Sequence, residues 1–224
     1  LAEQLEDNSD LLRIIEALGG ANDDADIEST FLMAFASIVV VIACVAVLQV
    51  AVRAHGEERL RGEMIFATRA TRPGAMASAA GVALASGVAV LGAFALAAGT
   101  SFWIGGLLDG SERTRWDEAG QLALSLAPAL LVYLAVGLFL WAFLPRTLAW
   151  LSWLLLLVPM LVGEFAPLFG ADLEWLQNIS PFHWLVSPLA TDQDWGPTWV
   201  MIAVSIVAIA ASFLWFRRRD LQLG

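Results

Sequence analysis

The chain alternates long apolar blocks with short charged stretches. Five blocks are long enough to be membrane-spanning helices, namely 31–52, 75–99, 121–144, 148–169 and 198–216. An α-helix rises about 1.5 Å per residue, so roughly 20 residues cross the ~30 Å hydrocarbon core of a bilayer. A helix also bonds its backbone groups within its own segment, as a lipid environment requires. The pattern therefore predicts an all-α membrane protein with five transmembrane helices.

The arginines indicate how these spans are oriented. If Arg217 to Arg219 are placed inside the cell, nine of the twelve arginines lie inside, as the positive-inside rule expects. The inner segments are then 53–74, 145–147 and the C-terminus, and the outer segments are 1–30, 100–120 and 170–197. Residues 1–30 are expected to be an acidic, amphipathic segment on the outer face. Because an outer N-terminus needs an earlier span, we expect further spans upstream.

Charge and chemistry exclude several classes of protein. The formal charge is −10, and 17 of the 22 acidic residues lie in the predicted outer segments, so the sparse inner arginines do not suit nucleic acid. Cys44 is the single cysteine, and His55 and His183 are predicted on opposite sides of the membrane, so neither a zinc site nor a catalytic triad can be assembled. The chain has no lysine and hence no G-x-x-x-x-G-K-[ST] phosphate loop. We therefore predict no enzyme, metal or cofactor in this chain.

The inner loop 53–74 is the strongest candidate for a functional element. It carries five arginines and three glutamates, whereas a simple connection between two spans needs only a few residues. Leu60, Met64, Ile65 and Phe66 are interleaved with the charges and favour a helix over 56–67. We predict a docking helix that lies near-parallel to the membrane. The alternative is a solvated loop at the lipid headgroups.

The second and fourth predicted spans contain further candidate functional residues. In the second span, small residues recur every four positions, which predicts close packing against other helices. They are Ala77, Gly81, Ala85, Ala83 and Gly87. Glu164 lies near the outer end of the fourth span, where a carboxylate is costly unless it faces a cavity or a partner. It is therefore a functional candidate, with snorkelling or a structural hydrogen bond as the alternatives.

The outer segment 170–197 is too apolar for a free loop. It contains Trp175, Phe182 and Trp184 and is interrupted by Pro181 and Pro188. Short helices that dip into the outer leaflet would satisfy both observations. The alternative is an aromatic anchor at the headgroups, where tryptophan is enriched.

Three stretches resemble a known family when they are taken together. Residues 61–72, RGEMIFATRATR, resemble the G-R-x-E-x-L-L-A-T-P-V-S-R segment of bacterial ABC exporter permeases of the polyketide-antibiotic and multidrug branch. Residues 178–184, NISPFHW, look like the L-S-P-F-x-W stretch before the last span of that family, and 216–221, FRRRDL, match its usual ending. Leu60 and Arg69 depart from the glycine and proline usual there. The chain resembles the second six-span half without its first span.

The resemblance implies a permease in the bacterial plasma membrane. Residues 56–67 would be a coupling helix that docks on a dimeric nucleotide-binding ABC subunit, where ATP and Mg²⁺ are bound. The remaining transmembrane half would lie in the same or another chain, and the substrate would be a hydrophobic antibiotic, drug or lipid-like compound. The implied coupling residues are Glu57, Glu58, Arg59, Arg61, Glu63, Phe66 and Arg72. The implied transport-path or gate residues are Gly81, Glu164, Trp175, Pro181, Phe182, His183 and Trp184.

Two other functions remain open at this point. A non-transporting membrane anchor or regulator of a cytoplasmic ATPase would need the same docking loop. An intramembrane lipid-modifying enzyme would need polar residues clustered at one depth, which the spans lack.

Overall fold

The computed structural model describes residues 27–66, 72–109, 116–165, 180–182, 184–185 and 195–218, with side-chain detail over 32–58, 73–104, 116–161, 180–182, 184–185 and 195–217. Six α-helices lie in these ranges: α1 Ile27–Phe66, α2 Arg72–Asp109, α3 Trp116–Ser125, α4 Ala127–Phe143, α5 Leu148–Phe165 and α6 Gly196–Arg218. No strand occurs among the described residues. The predicted all-α membrane fold is confirmed.

Four segments are long and apolar enough to cross a membrane: Leu32–Glu58, Pro73–Ile104, Trp116–Phe143 and Gly196–Arg217. The remaining predicted span, 148–169, corresponds to α5, an 18-residue helix that ends at Phe165. At about 1.5 Å per residue it is about 27 Å long, slightly less than the hydrocarbon core. Residues 166–169 of that predicted span lie outside the described ranges.

The first helix is longer than its predicted span. α1 contains 40 residues and, at about 1.5 Å per residue, extends about 60 Å, roughly twice the hydrocarbon thickness. Residues 56–66 are helical as predicted, but they continue the span directly. The expectation that the docking helix is separate from the span is therefore wrong. No proline interrupts residues 53–58, and Arg53, Ala54, Glu57 and Glu58 are good helix formers, so the single glycine there, Gly56, does not end the helix at the membrane boundary.

Prolines shape the third and fourth spans. The helix is interrupted at Leu126, between α3 and α4, because Pro128 at the start of α4 lacks a backbone N–H and its ring obstructs the preceding turn. In α5, Pro159 likewise cannot donate to the carbonyl of Leu155. The Tyr133 hydroxyl of α4 donates a long 3.5 Å hydrogen bond to that carbonyl. A side chain from a neighbouring helix thus partly replaces the backbone bond that the proline removes.

α4 is the central helix of the described bundle. It packs along α6 and α1 and also contacts α2, α3 and α5. Tyr133, Leu130 and Leu138 of α4 are almost completely buried, and they join Val47 and Cys44 of α1 in one hydrophobic core. The outward faces of α5 and α6 expose large apolar side chains, as a surface in contact with lipid requires.

The small residues of α2 form two series, Ala77, Gly81 and Ala85 on one side and Ala83 and Gly87 on another, and the two series differ in packing. A Cβ atom added at Gly87 would lie 2.9 Å from Cγ2 of Val47 and 3.0 Å from Cδ2 of Leu130, so this glycine permits a close contact with α1 and α4. Gly81 is exposed, and a Cβ there would meet nothing within 4 Å. Ala77 and Ala85 are exposed as well. Among the described residues, close packing is therefore found at Ala83 and Gly87 but not at Ala77, Gly81 and Ala85, so one of the two series packs as predicted.

Several serine hydroxyl groups in the spans donate to carbonyls of their own helices. Ser86 Oγ donates to the carbonyl of Ala83 at 2.7 Å, and Ser212 Oγ donates to the carbonyl of Ala208 at 2.7 Å. Ser125 and Ser205 make equivalent local bonds. Such bonds suit a lipid environment, where an unpaired donor is costly. No group of three or more potential metal ligands occurs among the described residues.

Candidate coupling and gate sites

One end of the bundle carries exposed arginines and is called here the arginine-rich end. It is defined by Arg53 in α1, Arg146 after α4 and Arg217 in α6. The opposite end carries Trp103, Trp116, Trp195 and Trp199, all of them exposed. The arginine distribution predicts that the arginine-rich end faces the cytoplasm.

A hydrogen bond joins α1 to α4 at the arginine-rich end. The indole Nε1–H of Trp141 donates to Oε2 of Glu58 at 2.7 Å. Trp141 is buried, and the side chain of Glu58 is only 23% exposed. A hydrogen bond to an ionised acceptor is stronger than a neutral one. The carboxylate is therefore held in one position relative to α4.

His55 lies one turn before Glu58 on the same helix. Its Nδ1 is 3.7 Å from Oε2 of Glu58, which is within ion-pair range but too long for a hydrogen bond. Both ring nitrogens are buried without a hydrogen-bond partner among the described residues. The imidazole packs edge-on against the indole of Trp141, with ring centres 6.2 Å apart.

Aromatic contacts extend this cluster to α6. Phe216 is buried and lies edge-to-face against Trp141, with ring centres 5.7 Å apart. The adjacent Trp215 stacks on Phe143 at 4.9 Å, and Phe143 stacks on Phe139 at 4.5 Å. Paired aromatic rings contribute beyond their buried area. We call Glu58, His55, Trp141 and Phe216 the coupling cluster, because they link α1, α4 and α6 beside the charged extension of α1.

Sequence analysis found one member of this cluster and missed the others. Glu58 was predicted as a coupling residue, whereas Trp141 and Phe216 stood in apolar spans and His55 had no assigned role. The position of Trp141 along its span could have indicated its role. It lies two residues before the end of α4, at the arginine-rich end.

The structure describes the side chain of one other exposed coupling candidate, and only the helix position of the rest. Glu57 is exposed one position before Glu58 and lines the cleft between α1 and α2. Arg59, Arg61, Glu63 and Phe66 belong to the last turns of α1, and Arg72 begins α2. Their side chains lie outside the described part of the chain.

At the opposite end, residues 180–182 and 184–185 form a turn that is held against the bundle. Phe182 is buried and stacks on Tyr133, with ring centres 5.6 Å apart and an interplanar angle of 25°. The backbone N–H of Leu185 donates to the carbonyl of Phe182 at 3.3 Å. Thr198 Oγ1 of α6 donates to the carbonyl of Trp184 at 3.3 Å. The turn is thus attached to both α4 and α6.

Pro181 and Trp184 of this turn also cover one end of an apolar groove between α4, α5 and α6, with a volume of about 590 Å³. Ser180 is completely buried, and its hydroxyl has no partner among the described residues. Of the predicted gate residues, Trp175 and His183 lie outside the described ranges, as does the side chain of Glu164. Gly81 faces open space and does not join the turn.

Buried aromatic and small-residue contacts, hydroxyls bonded within their own helices and apolar outer faces together define a multi-pass α-helical membrane protein. Residues 1–217 match the protein family described as the C-terminal domain of the multidrug efflux system permease Rv1217c. The chain belongs to this family, a conclusion that confirms the resemblance to an exporter permease and the location in the plasma membrane. No curated protein matches the chain.

Proposed function

We propose that the chain is the membrane-spanning permease subunit of an ABC exporter. It moves hydrophobic compounds out of the cell, and a separate nucleotide-binding subunit, expected as a dimer, binds Mg²⁺ and ATP and hydrolyses the ATP. Membership of an efflux permease family supports the transport role. The observation that carries the proposal is the 2.7 Å bond from Trp141 to Glu58, because it connects a charged helical extension to the centre of the bundle.

Because α1 is one continuous helix, a force on its charged end can reach the bundle. Residues 53–66 extend α1 without a break, so a force applied to the last turns acts on the span itself. Glu58 passes that displacement to Trp141 in α4, and Trp141 passes it to Phe216 in α6. Packed helices move as rigid bodies between discrete arrangements. ATP-driven closure of the docked subunits would thereby move α1, α4 and α6 together through the coupling cluster.

The charges on the extension are suited to partner recognition. Glu57 is exposed, and Arg59, Arg61 and Glu63 follow within two turns. Charged groups at the rim of an interface select the partner and steer association more than they raise affinity. Leu60, Met64, Ile65 and Phe66 add apolar residues to the same extension of α1.

The turn formed by residues 180–182 and 184–185 is proposed as part of the outer gate. Phe182 occupies the end of the bundle by stacking on Tyr133, and Tyr133 contacts the carbonyl that Pro159 leaves without a backbone donor. A displacement of α4 from the coupling cluster would therefore move the ring against which Phe182 packs.

Co-expression with an ABC ATPase from the same genome tests the proposal. The tagged chain should retain the ATPase through purification in detergent, and a lipophilic drug should raise ATP turnover in the complex. An ATPase that binds but does not respond to any drug would favour the anchor or regulator function. If no ATPase is retained and phospholipids are converted instead, the chain is a lipid-modifying enzyme and the proposal is wrong.

A further inference from the structure

The groove of about 590 Å³ between α4, α5 and α6 is open at its side, where the lining residues Val200 and Val204 are exposed. Among the described residues that line it, none is charged, and Ser205 is the only one with an aliphatic hydroxyl. That hydroxyl donates to the carbonyl of Met201 at 2.8 Å, within its own helix. The groove therefore suits a hydrocarbon and not a polar molecule.

The groove is elongated along α4. Its lining on this helix runs from Val132 to Leu144, a rise of about 18 Å at 1.5 Å per residue. One leaflet contributes about half of the ~30 Å hydrocarbon core, or roughly 15 Å, so an acyl chain of one leaflet matches the groove in length. A further helix, about 10–12 Å across, would occupy about 1,400 Å³ over this length, more than twice the groove volume of about 590 Å³. The groove therefore fits an extended hydrocarbon chain better than a helix.

The two ends of the groove differ. Pro181 and Trp184 cover the end that is remote from the arginines, and the bond from Thr198 to the Trp184 carbonyl holds this cover against α6. At the arginine-rich end, the lining of α4 ends at Leu144, in the short connection to α5. A lipid in the groove would therefore have the tip of its acyl chain beneath Trp184 and its headgroup beside Leu144.

Arg146 lies at this headgroup end. It follows Leu144 by two residues, so the two Cα atoms are at most about 7 Å apart. Its side chain is exposed and makes no ion pair with any side chain that the structure describes. A basic side chain at the membrane surface attracts anionic lipid headgroups. The guanidinium is therefore placed to contact the phosphate of a lipid whose acyl chain lies in the groove.

We infer that the groove and Arg146 together bind an anionic phospholipid of the leaflet at the arginine-rich end. One acyl chain lies in the groove along α4, and the phosphate contacts Arg146. The site is bounded by α4, α5 and α6 and by the turn that carries Phe182, so the bound lipid contacts each of these elements at once. The inference does not depend on what the protein transports.

Photolabelling with two lipid probes tests the inference. Phosphatidylglycerol is anionic and phosphatidylcholine is zwitterionic, and both probes carry the same acyl chain with a diazirine at its middle. The full-length protein is reconstituted into vesicles of unlabelled phosphatidylcholine with a trace of one probe, irradiated and digested. We expect the phosphatidylglycerol probe to label the peptides that contain residues 132–144 and 200–208 about fivefold more than the phosphatidylcholine probe, the effect of one basic residue on an anionic headgroup.

Val204→Trp tests the acyl-chain part of the site. Val204 lines the groove and is 63% exposed, so an indole there can fill the groove without disturbing the core. It should lower labelling of residues 132–144 by the phosphatidylglycerol probe several-fold. Val207→Trp is the matched control, because Val207 is 68% exposed on the same helix and does not line the groove. Its labelling should stay close to that of the unmodified protein.

Arg146→Gln tests the headgroup part. It removes the charge beside Leu144 and should reduce labelling by phosphatidylglycerol to the level of phosphatidylcholine. Arg217→Gln is the matched control, since it removes another exposed arginine from the same end of the bundle. Arg217 lies about 14 Å along α6 from Ala208, the last residue of that helix to line the groove. The preference for phosphatidylglycerol should therefore persist in this control.

Equal labelling of the unmodified protein by both probes would overturn the inference, because the groove would then only face bulk lipid. Unchanged labelling of the groove in Val204→Trp, or an unchanged lipid preference in Arg146→Gln, would overturn it as well. If neither probe labels the groove and a second copy of the chain crosslinks to it instead, the occupant is protein and the inference is wrong. These measurements involve neither an ATPase nor transport, so their outcome is independent of the proposed function.

Discussion

The indole N–H of Trp141 donates a 2.7 Å hydrogen bond to Oε2 of Glu58, a residue 83 positions earlier in the chain. This bond joins the central helix α4 to the point where α1 leaves the apolar part of the bundle. Around it pack His55 from α1 and Phe216 from α6. Any movement of the charged extension of α1 must therefore either carry α4 with it or break this bond.

Trp141→Phe tests the role of the bond. Phenylalanine keeps an aromatic ring against Phe216 but loses the N–H donor, which leaves a partly buried carboxylate short of one hydrogen bond. We expect a loss of about 1–3 kcal/mol in the free energy of unfolding and a reduction of drug-stimulated ATP turnover by several-fold. Thermal unfolding and ATPase assays of the co-purified complex measure both effects.

Trp150→Phe is the matched control, because Trp150 is 58% exposed on the outer face of α5. It should leave both quantities close to those of the unmodified protein. Equal behaviour of the two variants would mean that the Trp141 bond contributes nothing to coupling.

Charge exchange in the extension tests docking. Arg61→Glu together with Glu63→Lys leaves the net charge unchanged but reverses the pattern that a partner would recognise. We expect weaker retention of the ATPase and lower drug-stimulated turnover, with normal membrane insertion. Full ATPase coupling in the double variant would remove the docking role from this segment.

Gly87→Leu tests the packing of the second span. An added Cβ would already lie 2.9–3.1 Å from side-chain atoms of Val47 and Leu130, and a leucine needs still more room. We expect a loss of roughly 1–3 kcal/mol in the free energy of unfolding, as overpacking generally causes, and a lower Tm in detergent. Gly81→Leu is the matched control, since a Cβ there meets nothing within 4 Å. A similar Tm for both variants would show that the two faces of α2 are packed alike.

Cysteine labelling tests the orientation. Cys44 is completely buried, so it should contribute little background labelling in the intact protein. A membrane-impermeant thiol reagent applied from outside should modify Glu112→Cys but not Leu60→Cys. Labelling at position 60 without labelling at position 112 would reverse the assigned orientation and would move the coupling cluster to the wrong side of the membrane for an ATPase.

The sequence predicted most of the fold because apolar length and arginine placement are properties of each segment by itself. The spans predicted at 31–52, 75–99, 121–144 and 198–216 largely coincide with the membrane-length apolar segments Leu32–Glu58, Pro73–Ile104, Trp116–Phe143 and Gly196–Arg217. The continuation of α1 through 53–66 was not predicted, because charge content indicates that a segment leaves the bilayer but not that its helix ends there.

Contacts between helices were harder to predict than the helices. Gly81 and Gly87 have the same small-residue spacing in the sequence, and only the packing of α1 and α4 against α2 separates the exposed glycine from the packed one. Glu58 was recognised as a charge in a functional loop, but its partner Trp141 is one of ten tryptophans in an apolar sequence. Nothing local distinguishes a tryptophan that anchors at the headgroups from one that binds a carboxylate.

ATP-dependent uptake into inside-out membrane vesicles tests the central claim most directly. Vesicles that contain both this permease, at full length, and its ATPase should accumulate a lipophilic drug when ATP is added, and vesicles that lack either chain should not. Trp141→Phe vesicles should accumulate several-fold less, in proportion to their reduced ATP turnover. Equal accumulation with and without the permease, or full uptake by vesicles in which the Trp141–Glu58 bond is absent, would contradict the account.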